Sequence, residues 1–315
     1  MNPREGRYNL SPSSYLGGPL SYRFPFPPFP RGWYRVADTD ELKRQQVMPL
    51  HAFGGDLVLT RGADGVAALF DAHCPHMGTH LGYGGRMVGN RLECPFHGWQ
   101  FDCDGSCAFV PLADAIPQHA RLRPWHLREI NGVVLVWHDP AGGAPDWEMP
   151  ELPEHASPEW TSFRPTKQWV IRTHPQEIVE NGIDCAHFPH NHAQQTAGVE
   201  SLGIEMDGPR MTHHVVQHHN LFGIGARLGW HVKGTLEITA HALGCVVNRI
   251  RIRDGMFDYC IVFYLLPVDT ERVAVHAYSA MRRKGLLSLP LLWFAMREVG
   301  NTIDQDVPIW EHKLY

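Results

Sequence analysis

Cys74-Pro75-His76 is followed, after 17 intervening residues, by Cys94-Pro95-Phe96-His97. Farther along, Asp184-Cys185-Ala186-His187 is followed, after four intervening residues, by His192. Two thiolates and two imidazoles suit a [2Fe–2S] cluster in which a His pair replaces a Cys pair on one iron. A pair of nearby histidines that still lacks a carboxylate suits mononuclear non-haem Fe(II) with positions open for oxygen. Together the two signatures read as an electron inlet and an oxygen-activating outlet.

Cys₂His₂ is also a zinc set. Zinc fingers, however, place a Cys pair before a His pair, whereas here the order is Cys, His, Cys, His, which favours iron–sulfur. Pro75, Gly78 and Gly98 allow tight loops whose backbone N–H groups can point at cluster sulfurs. The stretch Cys74-Pro75-His76-Met77-Gly78 with Glu93-Cys94-Pro95-Phe96-His97-Gly98-Trp99 resembles the Rieske domain of ring-hydroxylating oxygenase α subunits. The resemblance implies that Cys74, His76, Cys94 and His97 hold the cluster. Respiratory Rieske proteins carry an extra cysteine pair in these loops; Met77 and Phe96 stand there instead, which argues against a respiratory subunit. Cys103 and Cys107 flank Asp104-Gly105-Ser106, a hairpin signal, and are expected to be packing residues.

The second signature is weaker alone, because 21 histidines make chance clusters common. Glu180-Asn181-Gly182-Ile183-Asp184-Cys185-Ala186-His187 resembles the iron-site segment of the same oxygenase family, a D-x-x-H-x-x-x-x-H pattern. By that match His187 and His192 bind iron, and His190 and His174 are neighbours without an assigned role. A His187/His190 pair at helical spacing is the competing choice. The missing carboxylate must come from far along the chain. The C-terminal segment offers Asp304, Asp306 and Glu311, and its Gln305-Asp306-Val307-Pro308-Ile309-Trp310 run resembles the third-ligand segment of the family, which selects Asp306. The bland alternative is that these acids solvate one face of the last helix.

Two units are expected to position these groups, giving an α+β fold. After an N-terminal tail over 1–30, short β runs such as Asp56–Thr60 and Val66–Phe70, with turn signals at Ala63-Asp64-Gly65 and Asn131-Gly132, predict a small all-β Rieske domain over 31–140. Residues 141–160 shift to Pro, Gly and acids and read as a linker. Residues 161–315 carry an iron-site helix, then strand-like stretches near Met211–Gln217, Gly234–Ala240, Cys245–Ile252, Phe257–Leu266 and Arg272–Ala280, then a C-terminal helix. That order resembles the helix-grip catalytic domain of the family, an antiparallel sheet capped by helices. The Pro-rich Phe24–Pro30 run is expected to be pinned across a neighbouring surface.

With 43 % hydrophobic residues the 315-residue chain can bury two cores, and a net charge of −5 with scattered basic residues excludes a nucleic-acid footprint. Seven cysteines, two of them assigned to a cluster, predict a cytoplasmic location. The polar Met1 to Ser14 stretch has no apolar signal-peptide core. No apolar run reaches the length of a transmembrane helix. The nearest, Gly285 to Met296, reads either as the buried start of the last helix, with Pro290 in its first turn, or as a lipophilic rim touching a membrane or admitting a greasy substrate.

The resemblance further implies oxygen activation by electrons delivered one at a time. No Gly-rich dinucleotide fingerprint is present, so a separate NAD(P)H-dependent reductase, with or without a ferredoxin, is the expected partner. In such oxygenases a head-to-tail trimer brings one chain's cluster beside another chain's iron, and Asp184 matches the acid that bridges the two. From Phe29 through Trp310 the chain is most similar to the cholesterol 7-desaturase and 3-ketosteroid 9α-hydroxylase groups. A bulky lipophilic polycycle and an outcome of hydroxylation or desaturation follow as expectations. Leu221, Phe222, Ile224 and Trp230 are candidate pocket residues. The alternatives are an aromatic or O-methylated substrate, or a Rieske electron carrier, for which the second metal signature has no use.

Overall fold

The computed structural model describes residues 23–193, 195–220, 231–253 and 255–315. Leu221, Phe222, Ile224 and Trp230 lie outside the described residues.

The first half is made of short antiparallel strands. They are β1 (Gly32–Asp38), β2 (Gln46–Ala52), β3 (Gly55–Arg61), β4 (Ala67–Asp71), β5 (Arg86–Val88), β6 (Arg91–Glu93), β7 (Gln100–Phe101), β8 (Cys107–Phe109), β9 (Leu127–Ile130) and β10 (Val133–His138). They form three small sheets, ordered β1-β10-β9, β2-β3-β4 and β5-β6-β7-β8. The turns are where the sequence places them. Gly105, at φ +82°, closes the hairpin between β7 and β8, and a Cβ there would come within 2.3 Å of the Leu122 carbonyl oxygen, so only glycine fits. Cys107 is buried in the core of this half with Cys103 packed against it, and both are free, as the packing role expected of these two requires.

The connecting segment holds one short helix, α1 (Pro153–Ala156). The second half begins with β11 (Arg164–Ile171), α2 (Pro175–Asn181) and the one-turn α3 (His187–Asn191). There follow β12 (Thr196–Asp207), β13 (Arg210–Asn220), β14 (His231–His241), β15 (Cys245–Ile252), β16 (Phe257–Pro267), β17 (Val273–Met281) and the long α4 (Ser288–His312). The strands make one antiparallel sheet ordered β11-β17-β16-β15-β14-β13-β12. Alternation of side chains sorts its two faces. On β15, β16 and β17, Val246, Ile250, Ile261, Phe263, Val275 and Ala277 join Val299 and Trp310 of α4 in one core. The intervening Cys245, Val247, Cys260, Val262, Tyr264 and Tyr278 join Trp33, Leu135 and Trp137 of the first half in another. With both faces covered, β17 is buried at every position.

Two strands escape the sequence reading. The β11 segment is polar and mostly exposed, and β12 is an edge strand interrupted by two register shifts, so neither has a continuous apolar period to read. The Phe24–Pro30 run lies against its own chain: His174 Nε2 contacts the Pro27 carbonyl at 3.0 Å, and Arg23 donates to the Trp310 and Arg172 carbonyls. Pro290 falls in the first turn of α4, where Ser288 and Leu292 are buried while the other face is exposed. Leu286, Leu287, Leu289 and Trp293 are all more than half accessible. Among the described residues no helix is long and apolar enough to cross a membrane.

Candidate metal centres and cavity

In the first half, two loops of like shape face one another. Cys74 and Cys94 each accept at their backbone carbonyl from the glycine four residues on, Gly78 at 2.9 Å and Gly98 at 3.1 Å. Both glycines take φ +72°, a left-handed turn that a side chain disfavours. The two thiols are almost fully buried, and burial followed by the neighbouring Cys94 pushes the Cys74 thiol up to about 11, while the amides of His76 and Met77 pull it back. A site that penalises thiolates yet aims amide donors at them fits a cationic iron–sulfur group that compensates the charge. His76 and His97 sit outside the thiols, exposed, with ring centroids 4.6 Å apart. His76 stacks flat on Trp99 at 4.6 Å, which fixes its plane. The thiols of Cys74 and Cys94 therefore meet, as do the imidazoles of His76 and His97, with sulfur inward and imidazole at the surface. Met77 and Phe96, exposed beside them, make that surface apolar.

In the second half, His187, His192 and Asp306 place one ligand atom each within 4.8 Å of one another. The chain achieves this with one helical turn. His187 opens α3, and His192 follows it at the C-cap with φ −110° and ψ 36°, where the backbone has left the helix and turns the ring back toward His187. Their ring centroids are 5.1 Å apart. Asp306 arrives from the buried face of α4, 2 % exposed. The rival His190 is exposed and outside this group. Asp304 points elsewhere, to Lys167 and to the Trp169 indole at 2.8 Å, and Glu311 accepts from the Arg172 amide. His174 caps α2 by accepting from the Gln176 amide at 3.1 Å.

The imidazoles are oriented from behind. His187 Nδ1 contacts the Asp184 backbone carbonyl at 2.5 Å, and His192 Nδ1 contacts Gln305 Oε1 at 2.7 Å, so in each ring Nε2 faces the shared space. His192 Nε2 is buried, 3.3 Å from Asp306 Oδ1, and makes no hydrogen bond of good geometry. A buried ring nitrogen without a partner beside a buried carboxylate fits a divalent cation. Asp306 is flanked by two amides: Asn181 donates to Oδ2 at 3.1 Å and Asn191 to Oδ1. Asn181 also reaches His187 Nε2 at 3.2 Å, tying two of the three groups together. Burial lowers the His187 pKa against the pull of Asp306. At His192 burial also opposes charge, but Asp306 and Gln305 outweigh it and its pKa is raised. The bridging acid expected from the sequence, Asp184, is exposed, and its carboxylate accepts from the Ala186 amide at 2.9 Å while standing 3.8 Å from His187. Sequence reading missed Asn181, Asn191 and Gln305. The only signal available was their adjacency to the motif residues, which does not tell a supporting amide from a surface one.

His192 and Asp306 lie in the wall of a cavity of about 520 Å³ between the sheet and α4. Its lining is mostly aliphatic and aromatic, including Ile178, Leu236, Ile250, Phe263 and Val299. A space of this size and chemistry suits a lipophilic small molecule.

A family model described as the 3-ketosteroid 9α-hydroxylase C-terminal domain matches residues 136–315, and one described as the Rieske [2Fe-2S] domain matches residues 32–120. The cholesterol 7-desaturase of Caenorhabditis elegans is 35 % identical over 320 residues, covering 92 % of this chain and 72 % of that relative. Cholesterol 7-desaturase nvd 1 of Ciona intestinalis is 40 % identical over 179 residues, which is 57 % of this chain and 38 % of the relative. The probable 3-ketosteroid-9-alpha-monooxygenase oxygenase component of Rhodococcus rhodochrous is 39 % identical over 166 residues, or 52 % of this chain and 41 % of the relative. The chain thus matches about two fifths of the length of several curated relatives. Among solved structures, dicamba monooxygenase bound to dicamba superposes with a TM-score of 0.72 at 19 % identity, covering 89 % of this chain and 86 % of the other. At that identity the likeness is one of fold.

Proposed function

The chain belongs to the Rieske oxygenase family with a 3-ketosteroid 9α-hydroxylase type of C-terminal domain, and on that footing we propose that it is the oxygenase component of a multicomponent system acting on a sterol, a steroid or a related lipophilic polycycle. The observation that carries this reading is the buried His187, His192 and Asp306 group in the wall of a large apolar cavity. An electron carrier has no use for either.

In this reading Cys74, His76, Cys94 and His97 hold a [2Fe–2S] cluster, and His187, His192 and Asp306 hold mononuclear iron. When bound, the cluster supplies single electrons and the ferrous ion supplies oxygen activation. The chain's own part is orientation and exclusion of water. The Asp184 carbonyl and Gln305 fix which nitrogen each imidazole presents. Asn181 and Asn191 hold the Asp306 carboxylate in place by two donated hydrogen bonds. The aliphatic cavity wall seats the substrate beside these groups and displaces water, which keeps the oxidation directed at a C–H bond.

Electrons come from a separate NAD(P)H-dependent reductase, with or without a ferredoxin. The exposed His76 and His97 edge, flanked by Met77 and Phe96, would be where the bound cluster passes electrons on, and in a head-to-tail homotrimer that edge would meet a neighbouring chain's Asp184 and iron-site residues. The reading is of a cytoplasmic protein whose exposed Leu286–Trp293 rim lies near lipid. Oxygen uptake with a surrogate reductase across sterol, 3-ketosteroid and aromatic panels, with product analysis, tests it. Turnover of a sterol or steroid to a hydroxylated or desaturated product is expected; turnover confined to aromatic or O-methylated compounds overturns the substrate class.

A further inference from the structure

The cavity wall is apolar almost throughout, yet among the described residues three of its polar atoms besides His192 Nε2 are buried without a hydrogen-bond partner: Asn248 Oδ1, His219 Nε2 and Gln195 Oε1. Each such atom costs stability unless something occupies it, because water that would satisfy it has been removed. Asn248 stands out most. It lies in the middle of β15, a central strand, with Val246 and Ile250 on either side along its face and Ile238 and Ile261 directly opposite on β14 and β16. Asparagine is depleted in strands, and an aliphatic residue would complete this surface.

The three atoms fall at two levels of the sheet. His219 and Gln195 are neighbours: the Asn220 amide donates to the Gln195 carbonyl at 2.9 Å, and Gln195 Nε2 reaches Glu298 at 3.4 Å. The His219 ring lies over Gly234, where a Cβ would come within 3.1 Å of it, so the glycine makes room for the imidazole. Asn248 pairs with Ile238, four residues farther along the same strand as Gly234. Four residues of extended chain span about 13 Å. Both levels adjoin the metal group: Ile238 lies against Gly182, next to Asn181 and its contacts to His187 and Asp306, while the Gln195 amide donates to the His192 carbonyl at 2.9 Å.

Resting on the reading of this cavity as the substrate site, we propose that Asn248 on one level, and His219 with Gln195 on the other, are polar stations that select a rigid lipophilic polycycle carrying a hydroxyl group at each end. The two orphaned amide oxygens can only accept, and Gln195 Nε2 is already turned to Glu298, so each station calls for a hydroxyl, which donates, while burial keeps the His219 imidazole neutral. A hydrocarbon of the same shape would leave all three atoms unpaired and bind more weakly.

The test is equilibrium binding of androstane-3,17-diol and of its 3-deoxy and 17-deoxy analogues to the full chain, to Asn248→Leu and to His219→Phe. The wild type is expected to hold the diol about tenfold tighter than either analogue, the scale of one satisfied hydrogen bond. Asn248→Leu should lose the preference against one analogue and His219→Phe the preference against the other, as in a double-mutant cycle. Asn248→Leu should melt at or above the wild-type Tm, since it removes an unpaired acceptor; a lowered Tm would mark Asn248 as structural and overturn its assignment. Equal wild-type binding of all three ligands, or variants that keep both preferences, overturns the two stations while leaving the cavity as the substrate site. Failure of all three ligands to bind overturns the steroid reading itself and the stations with it.

Discussion

His187 Nδ1 makes its short contact with the backbone carbonyl of Asp184, not with the carboxylate, which stands 3.8 Å away and exposed. The ring is therefore held by main chain, and the acidic side chain is left free to face another molecule. Asp184→Asn keeps the carbonyl and should leave both metal contents unchanged. Turnover coupled to reductase should fall by two orders of magnitude or more, about the size of losing a positioned charged partner. Metal analysis beside oxygen uptake checks this; a metal-replete variant with normal coupled rates would show that the carboxylate has no part in electron transfer.

Asp306 and Asp304 separate cleanly. Asp306 is buried among Asn181, Asn191 and His192, whereas Asp304 is exposed on Lys167 and Trp169. Asp306→Ala is expected to keep the visible colour of the cluster and to lose mononuclear iron. Asp304→Ala should retain both, at a stability cost of about 1 kcal/mol or less, as for other exposed ion pairs. Iron-to-protein ratios near two and three would distinguish the variants, and the reverse pattern would assign the third ligand to Asp304.

Gln305 holds Nδ1 of His192 at 2.7 Å. Replacing it with leucine should weaken iron binding by about 10- to 100-fold, the usual effect of losing a group that orients a metal-binding imidazole. Chelator competition reads this directly, and Gln305→Glu, which keeps an acceptor, should recover most of the affinity.

For the cluster, Cys94→Ala should abolish the visible absorption. Trp99→Leu, which removes the stacking on His76 but no ligand, should keep the colour and shift the reduction potential. Spectroelectrochemistry of the two variants separates a ligand from a positioning residue.

Stability should fall with acid for a reason unrelated to the metals. Burial lowers His219 and His241 to about 4 and His276 to about 3. Unfolded, these imidazoles take up protons near pH 6.5, while folded they stay neutral. The unfolded chain thus binds more protons between about pH 6.5 and 4, and stability declines as pH falls through that window. Each group contributes on the order of 1–3 kcal/mol across it. Urea midpoints at pH 7 and pH 5 should show the drop, and His241→Gln should flatten the slope by about one proton's worth.

Much of the cluster site was legible because its ligands are local. Each loop carries its Cys, His and Gly within five residues, so residue order favours an iron–sulfur site, and the resemblance then implies which four groups hold it. The His187/His192 pair needed resemblance, because helical spacing alone leaves His187/His190 open, and only the backbone's exit from α3 at His192 separates the two choices. The choice of Asp306 needed resemblance, because two acids two residues apart on a helix differ only in which face they share with the sheet.

What the sequence by itself determined was therefore the set of chemical groups, the two-part α+β plan and the strands whose apolar residues alternate. Tertiary structure alone decided what depends on residues far apart in the chain. It buried Asp306 and exposed Asp304, set Gln305 behind His192, left the Asp184 carboxylate outward, and put Asn248 unpaired in an aliphatic wall. The physical reason is that local pattern reports which face of a strand or helix is apolar, whereas the neighbour a polar atom meets, or fails to meet, is set only when distant elements pack.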